Sequence, residues 1–370
     1  MTIAKVISSP KTTNSTPEKP WHHYLTIDLF LTVLNRTFLH PFIAWMLPLS
    51  LRAQATPYTH TAMKVTIAWA SLLTLLYFLG LINDRIAYGM AREVDPSEEV
   101  IVVTGGASGL GALIAEVYGM RGANIAVMDA RKVEEDEAEE KGIIYYECDV
   151  GDRKQVEEVG KRIEEDLGIP TILINNAGIV HGKALLDLSP EEIERTFRVN
   201  TLSHFHTLQT FLPGMLSSNR GTIVTVSSVL AHLGAANLSD YTASKAALLA
   251  LHASLRAELA RSSQGRNIRT LLCTPGQLST PMFAGVKTPS SFFAPVVAPV
   301  DVAKEIIKMV DRGESGEIAI PLYTRWIEWL GVLPVGVQTI LRAWSGIDVA
   351  MADGVMGNIL ATEGDEKRRW

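Results

Sequence analysis

Tyr241 and Lys245 stand four residues apart, and Ser228 precedes the Tyr by thirteen. These three residue types could move a proton at an oxygen while a hydride moves at the carbon bearing it. A free Tyr hydroxyl has a pKa of about 10, too high for a base near neutrality. A nearby ammonium favours the phenolate and lowers that pKa, and a Lys four residues on shares a helix face with the Tyr. Such tuning brings a general acid–base nearer its working pH. The Ser228 hydroxyl suits an oxygen on which charge develops. A Y-x-x-x-K spacing by itself describes many solvated helix faces, so the argument rests on the elements that must position it.

Those elements alternate strand with helix. Val100–Val103 is a short apolar, β-branched run, read as a buried parallel strand. A turn of the form T-G-x-x-x-G-x-G follows, with Gly105, Ser108, Gly109, Leu110 and Gly111, and then a helix over Ala112–Tyr118. Glycine permits the positive φ and close backbone approach such a turn needs. The helix N-terminus offers free N–H groups and the positive dipole end to a pyrophosphate. The next strand, Asn124–Met128, leads to Asp129, where an acidic side chain hydrogen-bonds adenosine ribose hydroxyls and repels a 2′-phosphate. Ser108 and Ala130 are not basic, so NAD is expected over NADP; Arg131, two residues beyond Asp129, is the group that could reverse that preference. Further strands are read at Ile143–Glu147, Thr171–Ile174, Thr222–Val226 and Ile268–Cys273. The run Thr222–Val226 delivers Ser228 at a carboxyl end, where open α/β sheets bind ligands. The alternation predicts an α/β, doubly wound parallel sheet (a Rossmann fold) over residues 99–320.

The remaining chain differs in character. Residues 1–20 are rich in Ser, Thr, Pro and Lys and are expected to be disordered. Residues 21–98 are expected to anchor the protein to a membrane: Val65–Ile82 has no charged residue in eighteen, long enough for a transmembrane helix. The earlier apolar stretch, Leu25–Leu51, is interrupted by Asp28, Arg36, Pro41 and Pro48, and could be a second span, a hairpin or an interfacial helix. Residues 321–370 carry Trp326, Trp329 and Trp344 among aliphatics, which suits a membrane surface, dimer packing or ordinary core; Glu363–Trp370 is expected to fray. The net charge of −6 without a basic block gives no reason to expect nucleic acid. The two cysteines, Cys148 and Cys273, imply no disulfide framework, no metal is expected, and His204 and His206 are read as structural because residues two apart point to different sides of a helix.

Taken in register, Thr104–Gly111, Asn175–Gly178, Asn200, Ser228, Tyr241 and Lys245 resemble the short-chain dehydrogenase/reductase family over residues 98–320. Cys148–Gly151, Arg195–Phe197, Ser203–Phe205, Phe211–Pro213 and Gly221–Ser228 are similar to its membrane-associated branch, which includes retinol and 17-beta-hydroxysteroid dehydrogenases of the endoplasmic reticulum and lipid droplets. The resemblance implies further site residues. Lys245 would also hold the nicotinamide ribose and Asn200 would support a water relay for the proton. Asp149 and Val150 would contact the adenine, and Asn176, Ala177 and Gly178 would pack against the cofactor. Pro275, Gly276, Leu278 and Thr280 would hold the carboxamide, with 281–297 as a lid over a lipophilic substrate. It also implies a homo-oligomer formed through helices near Asn200 and Tyr241. Three functions stay open: an NAD-linked dehydrogenase or carbonyl reductase of retinoid, steroid or fatty substrates, an NADPH-linked 3-ketoacyl or 3-ketosphinganine reductase, and a membrane or droplet scaffold without turnover.

Overall fold

Seven short runs assemble into one sheet because the central ones, such as Val100–Thr104 and Ile172–Asn175, are buried along their whole length and must be covered on both faces. The computed structural model describes residues 25–133, 142–283 and 292–348. The expected tail at 1–20, the expected fraying at 363–370 and residues 284–291 of the expected lid lie outside these. The strands are β1 (Val100–Thr104), β2 (Asn124–Asp129), β3 (Ile144–Glu147), β4 (Ile172–Asn175), β5 (Gly221–Val226), β6 (Ile268–Cys273) and β7 (Gly316–Ile318). All pair in parallel, in the order β3-β2-β1-β4-β5-β6-β7. The order reverses beside β1, which opens a crevice at the carboxyl ends of β1 and β4. β7 escapes the sequence reading: it has three residues, one of them the exposed Glu317, too few for periodicity to register.

The side chains of β1 divide between two cores. Ile101 and Val103 pack toward α4 (Gly109–Met120), with Leu110, Ile114 and Tyr118. Val100 and Val102 pack on the opposite side, among residues of α5 (Arg153–Leu167) such as Val156 and Ile163. Each fully buried aliphatic contributes about 1.5–3 kcal/mol, so displacing either helix layer would expose far more than the domain's net stability could tolerate. On that second side α6 (Pro190–Phe197) starts with a capping box between Ser189 and Glu192. It continues through a π-type turn at Arg198–Leu202 into α7 (Ser203–Ser217). The long α8 (Ser239–Arg261) carries Tyr241 and Lys245, and α9 (Pro299–Asp311) covers the β6–β7 side of the first core.

The N-terminal region forms three helices. The apolar stretch beginning at Leu25 is not one span: it divides at Thr37–His40 into α1 (Ile27–Arg36) and α2 (Pro41–Ala53). Pro41 sits at the first helical position of α2, where its missing N–H costs nothing. α2 packs on α3 (Thr61–Tyr88) through Ala44, Ala70 and Leu73, and Trp45 Nε1 donates to Thr74 Oγ1 at 2.9 Å. α3 contains Val65–Ile82, is long and apolar enough to cross a membrane, and leaves most of its apolar side chains exposed. α1 leaves this hairpin and lies against the sheet domain: the Ile27 N–H donates to Phe292 O at 3.0 Å. After β7, one-turn helices at Leu322–Arg325 and Ile327–Val332 lead to α10 (Val335–Ser345).

A buried ion cluster closes the sheet at the end opposite the crevice. Glu99 is fully buried; Arg92 Nη1 and Nη2 donate to its two oxygens at 2.8 and 3.1 Å, and Arg220 Nη2 donates at 2.7 Å. Arg92 Nε also reaches Thr222 Oγ1 of β5 at 2.9 Å. Burial opposes ionisation of Glu99, but the hydrogen bonds outweigh it and hold the carboxyl below the usual range.

Candidate active site

The turn after β1 is shaped by what its glycines leave out. Gly105 and Gly109 have φ of 65° and 61°, the left-handed region that favours glycine. A Cβ on Gly111 would stand 2.4 Å from Gly105 O and 2.6 Å from Asn176 Nδ2. Asn176 needs that space, because its amide donates to Thr104 O at 3.2 Å and Gly105 O at 3.0 Å, binding the turn to the end of β4. Thr104 Oγ1 accepts from the N–H groups of Asn176 and Ala177 at 3.0 and 3.2 Å. Ser108 caps α4 without a side-chain bond to the helix, so the first-turn N–H groups have no side-chain partner there. Asp129 accepts from the Ala107 N–H through one oxygen and the Arg131 N–H through the other, each at 3.0 Å. This fixes a carboxylate beside the turn. Such a cradle suits a dinucleotide pyrophosphate with its adenosine ribose. Gly111→Ala is therefore expected to cost about 1–3 kcal/mol in forced displacement and to weaken NADH binding about tenfold for each 1.4 kcal/mol that falls on the turn. A fluorescence titration against wild type checks this.

Further along the crevice the polar residues meet. Ser228 ends the chain leaving β5, and its Oγ accepts from the Leu230 N–H at 3.2 Å. Ser228, Tyr241, Lys245 and Asn200 are all buried. Asn200 is raised into place by the π-type turn: its Oδ1 accepts from the Ile179 N–H at 2.7 Å, and its Nδ2 donates to Ile179 O and Ser244 Oγ at 3.0 Å each. The Asn side chain thus ties the backbone beside Gly178 to the Tyr helix. Lys245 Nζ donates to Val226 O at 3.0 Å and lies 6.0 Å from the centroid of the Tyr241 ring. The N-terminus of α8 is moored by Asp240, which accepts from Thr196 Oγ1 at 2.7 Å and contacts His181 Nδ1 at 3.2 Å.

The electrostatics differ from the expectation that Lys245 lowers the Tyr241 pKa. Burial pushes Tyr241 up to about 12, with a hydrogen bond from Ser228 acting against it. The same burial pushes Lys245 down to about 8. Taking each charged form out of water costs more here than their separation returns. His204, fully buried and without a hydrogen-bond partner on either ring nitrogen among the described residues, falls to about 3 through burial and neighbouring positive groups.

One cavity of about 1140 Å³ runs past nearly all of these groups. Gly105, Ser108, Gly109, Leu110, Asp129, Asp149, Val150, Asn176, Ala177, Gly178, Ser228, Tyr241, Lys245, Pro275, Gly276, Leu278 and Thr280 line it; Gly111 and Asn200 stand behind the lining. Asp149 Oδ1 accepts from the Gly151 N–H at 2.9 Å, which shapes the loop that presents Val150. Gly276 has no room for a side chain, since a Cβ would lie 2.6 Å from Pro321 Cδ. Among the described residues no group of acidic, His or Cys side chains could hold a metal ion. Sequence reasoning missed the outer wall: Ile27 and Leu31 of α1, with Trp326, Leu330, Trp344 and Ile347 from the C-terminal part, also line the cavity. Only the apolar character of those segments hinted at it.

Comparison with known proteins agrees with this geometry. Residues 99–290 match the family model for short chain dehydrogenase. The chain is 31% identical over 287 residues to bovine short-chain dehydrogenase/reductase family 16C member 6, covering 75% of this chain and 89% of that protein. It is 33% identical over 268 residues to mouse epidermal retinol dehydrogenase 2, covering 70% and 85%. It is 35% identical over 289 residues to zebrafish retinol dehydrogenase 10-B, covering 70% and 85%. The fold is shared with the alcohol dehydrogenase of the archaeon Thermococcus sibiricus, solved with 5-hydroxy-NADP, at a TM-score of 0.51 and 22% identity over 60% of this chain and 95% of that one. A short-chain dehydrogenase from Streptomyces avermitilis aligns at 0.54 and 22% over 66% and 96%. With a seven-stranded parallel sheet, a glycine cradle at its switch point and this match over the sheet domain, the chain belongs to the short-chain dehydrogenase/reductase family, whose members are NAD(P)-dependent oxidoreductases.

Proposed function

We propose that this protein is a membrane-bound enzyme that interconverts a lipophilic alcohol and its carbonyl compound, with NAD as the preferred dinucleotide. The observation that carries this reading is the cavity itself. Its inner end holds Ser228, Tyr241 and Lys245, while its outer part is walled by Val180, Met282, Phe283, Phe293, Leu330 and Ile347. A bound nicotinamide supplies or takes the hydride. The protein's own residues handle the oxygen. Ser228 Oγ holds it where charge develops, and the Tyr241 hydroxyl gives or takes the proton. The Lys245 ammonium, 6.0 Å from the Tyr241 ring centroid, favours the phenolate against the burial that pushes the Tyr241 pKa up. Asn200 positions this pair by tying Ile179 to Ser244, whose Oγ in turn donates to Tyr241 O at 2.7 Å. Gly105, Ser108–Gly111, Asp149, Val150 and Asn176–Gly178 would hold the dinucleotide, with Pro275, Gly276, Leu278 and Thr280 at its nicotinamide end.

Asp129 supports NAD. A 2′-phosphate would meet a carboxylate already fixed by two backbone N–H groups. Arg131 lines the same stretch of cavity and keeps an NADPH-linked ketone reductase as the second reading. Titrating NADH and NADPH into wild type and Asp129→Ala separates the two. Wild type is expected to favour NADH, and Asp129→Ala to lose about tenfold or more of that preference as its ribose hydrogen bonds and repulsion disappear. A wild-type preference for NADPH would sink the NAD reading. Failure to bind either dinucleotide would favour a scaffold without turnover.

Exposed apolar α3, its hairpin partner α2 and the similarity to retinol dehydrogenases support attachment to a membrane of the endoplasmic reticulum or a lipid droplet. Full-length protein is expected to stay with membranes through alkaline carbonate extraction, while residues 90–370 are released in larger part; equal retention would place the anchor elsewhere. The cut belongs after Gly89, because removing residues 1–98 would also delete Arg92 and strip buried Glu99 of a partner. Exposed Leu202 and Phe205, at the turn and start of α7, support a homo-oligomer formed on that face.

A further inference from the structure

α1 lies upstream of the region matched by the family model, which starts at residue 99, yet it touches the cavity directly. Its first turn joins two segments that reach the cavity mouth independently. The Ile27 N–H donates to the carbonyl of Phe292, which precedes α9, and the Asp28 carboxylate accepts from the N–H of Leu322, which follows β7. Thr26 caps the helix by accepting from the Leu29 N–H at 3.2 Å, so the turn that carries both contacts is itself well formed. One helical turn beyond Ile27, Leu31 faces the same cavity. Asp28 also adds to burial in holding Tyr323, another lining residue, up at about 12. The linker Thr37–His40 joins α1 to α2, which packs on α3.

Resting on the alcohol–carbonyl reading above, we propose that α1 is the outer wall of the substrate site, with Ile27 and Leu31 gripping the apolar tail of a long lipophilic alcohol and Asp28 pinning the wall shut. A polar substrate would gain nothing from two aliphatic side chains here. The short linker keeps the wall next to the hairpin in the chain. A substrate tail is therefore gripped beside the membrane-facing helices.

The test uses full-length protein in detergent with Leu31→Phe, which narrows the cavity, and Asp28→Ala, which removes the pin. Retinol binding is read by energy transfer from Trp326 and Trp344, and dodecanol binding by displacement of retinol. Both alcohols are expected to bind wild type and to lose about tenfold in affinity in Leu31→Phe, and several-fold in Asp28→Ala, the scale of change one or two methylenes make in an apolar pocket. NADH affinity serves as the folding control and should stay unchanged in both variants. Where turnover is seen, kcat/KM for retinol should fall about tenfold more than for benzyl alcohol, which has no long apolar tail for α1 to grip. Wild-type protein that binds neither long alcohol, or variants that bind both as wild type does, would overturn the proposal. Binding with the expected losses but without turnover would keep the wall and sink the reaction assigned to the site.

Discussion

Tyr241→Phe is expected to lower kcat by about 10²- to 10⁴-fold, the range that general acid–base catalysis contributes, with NADH binding largely kept. The substitution removes one oxygen from a buried ring that packs edge-on against Phe283 at 5.9 Å, so little packing is lost. Steady-state rates with a bound lipophilic alcohol, set beside an NADH titration of the same protein, check it; full activity would remove Tyr241 from the proton transfer. Lys245→Met should also lose turnover, yet its melting temperature at neutral pH should hold or rise. A drop from the ordinary 10.5 to about 8 amounts to roughly 3 kcal/mol against the charged form, at about 1.4 kcal/mol per pKa unit; loss of the bond to Val226 O offsets part of that. The sign follows from proton counting. Between about 8 and 10.5 the unfolded chain holds the Lys proton and the folded chain does not, so this residue makes stability rise with pH across that window. An activity loss without a stability loss is what a functionally strained buried charge produces.

Glu99→Gln is expected to cost about 3–5 kcal/mol, the usual effect of removing one partner from a buried ion pair. That corresponds to a fall in melting temperature of about 2–4 °C per kcal/mol for a domain of this size. Arg92 would be left with a neutral amide in place of a bidentate carboxylate, and Arg220 with its exposed contact to Glu98. Because the Glu99 carboxyl is held below its ordinary range, its contribution is present above the unfolded pKa and lost as pH falls through the folded one. Thermal melts of wild type and Glu99→Gln should therefore differ most near neutrality and converge in acid. A constant gap from neutral to acidic pH would show that Glu99 acts through packing and not through charge. The cluster lies at the far end of the sheet from Tyr241, so kcat of the folded variant should change little.

Most strands of the sheet were legible because parallel strands are buried on both faces and read as continuous apolar runs; Ile268–Cys273 matches its strand end for end. The glycines, Asp129, Ser228, Tyr241 and Lys245 were legible because turn geometry and proton transfer tolerate few residue types. The three-residue β7 was not, since its pairing with β6 supplies what its length does not. Nor was the partnership of Asn200 with Ile179, which depends on a π-type turn that no spacing announces.

The chain by itself determined which residues could do the chemistry, the order of strand and helix, and an apolar helix over 65–82. Those are properties of local patterning and of residue type. Tertiary structure alone decided that α1 lines the cavity, through a bond between Asp28 and Leu322 across 294 residues. It also decided the direction of the Tyr241 and Lys245 shifts. A spacing of four residues fixes how near an ammonium stands to a phenol, but burial of Tyr241 among Ala235, Leu238 and Phe283 and of Lys245 against β5 sets how much water either group keeps, and at this site desolvation is the larger effect.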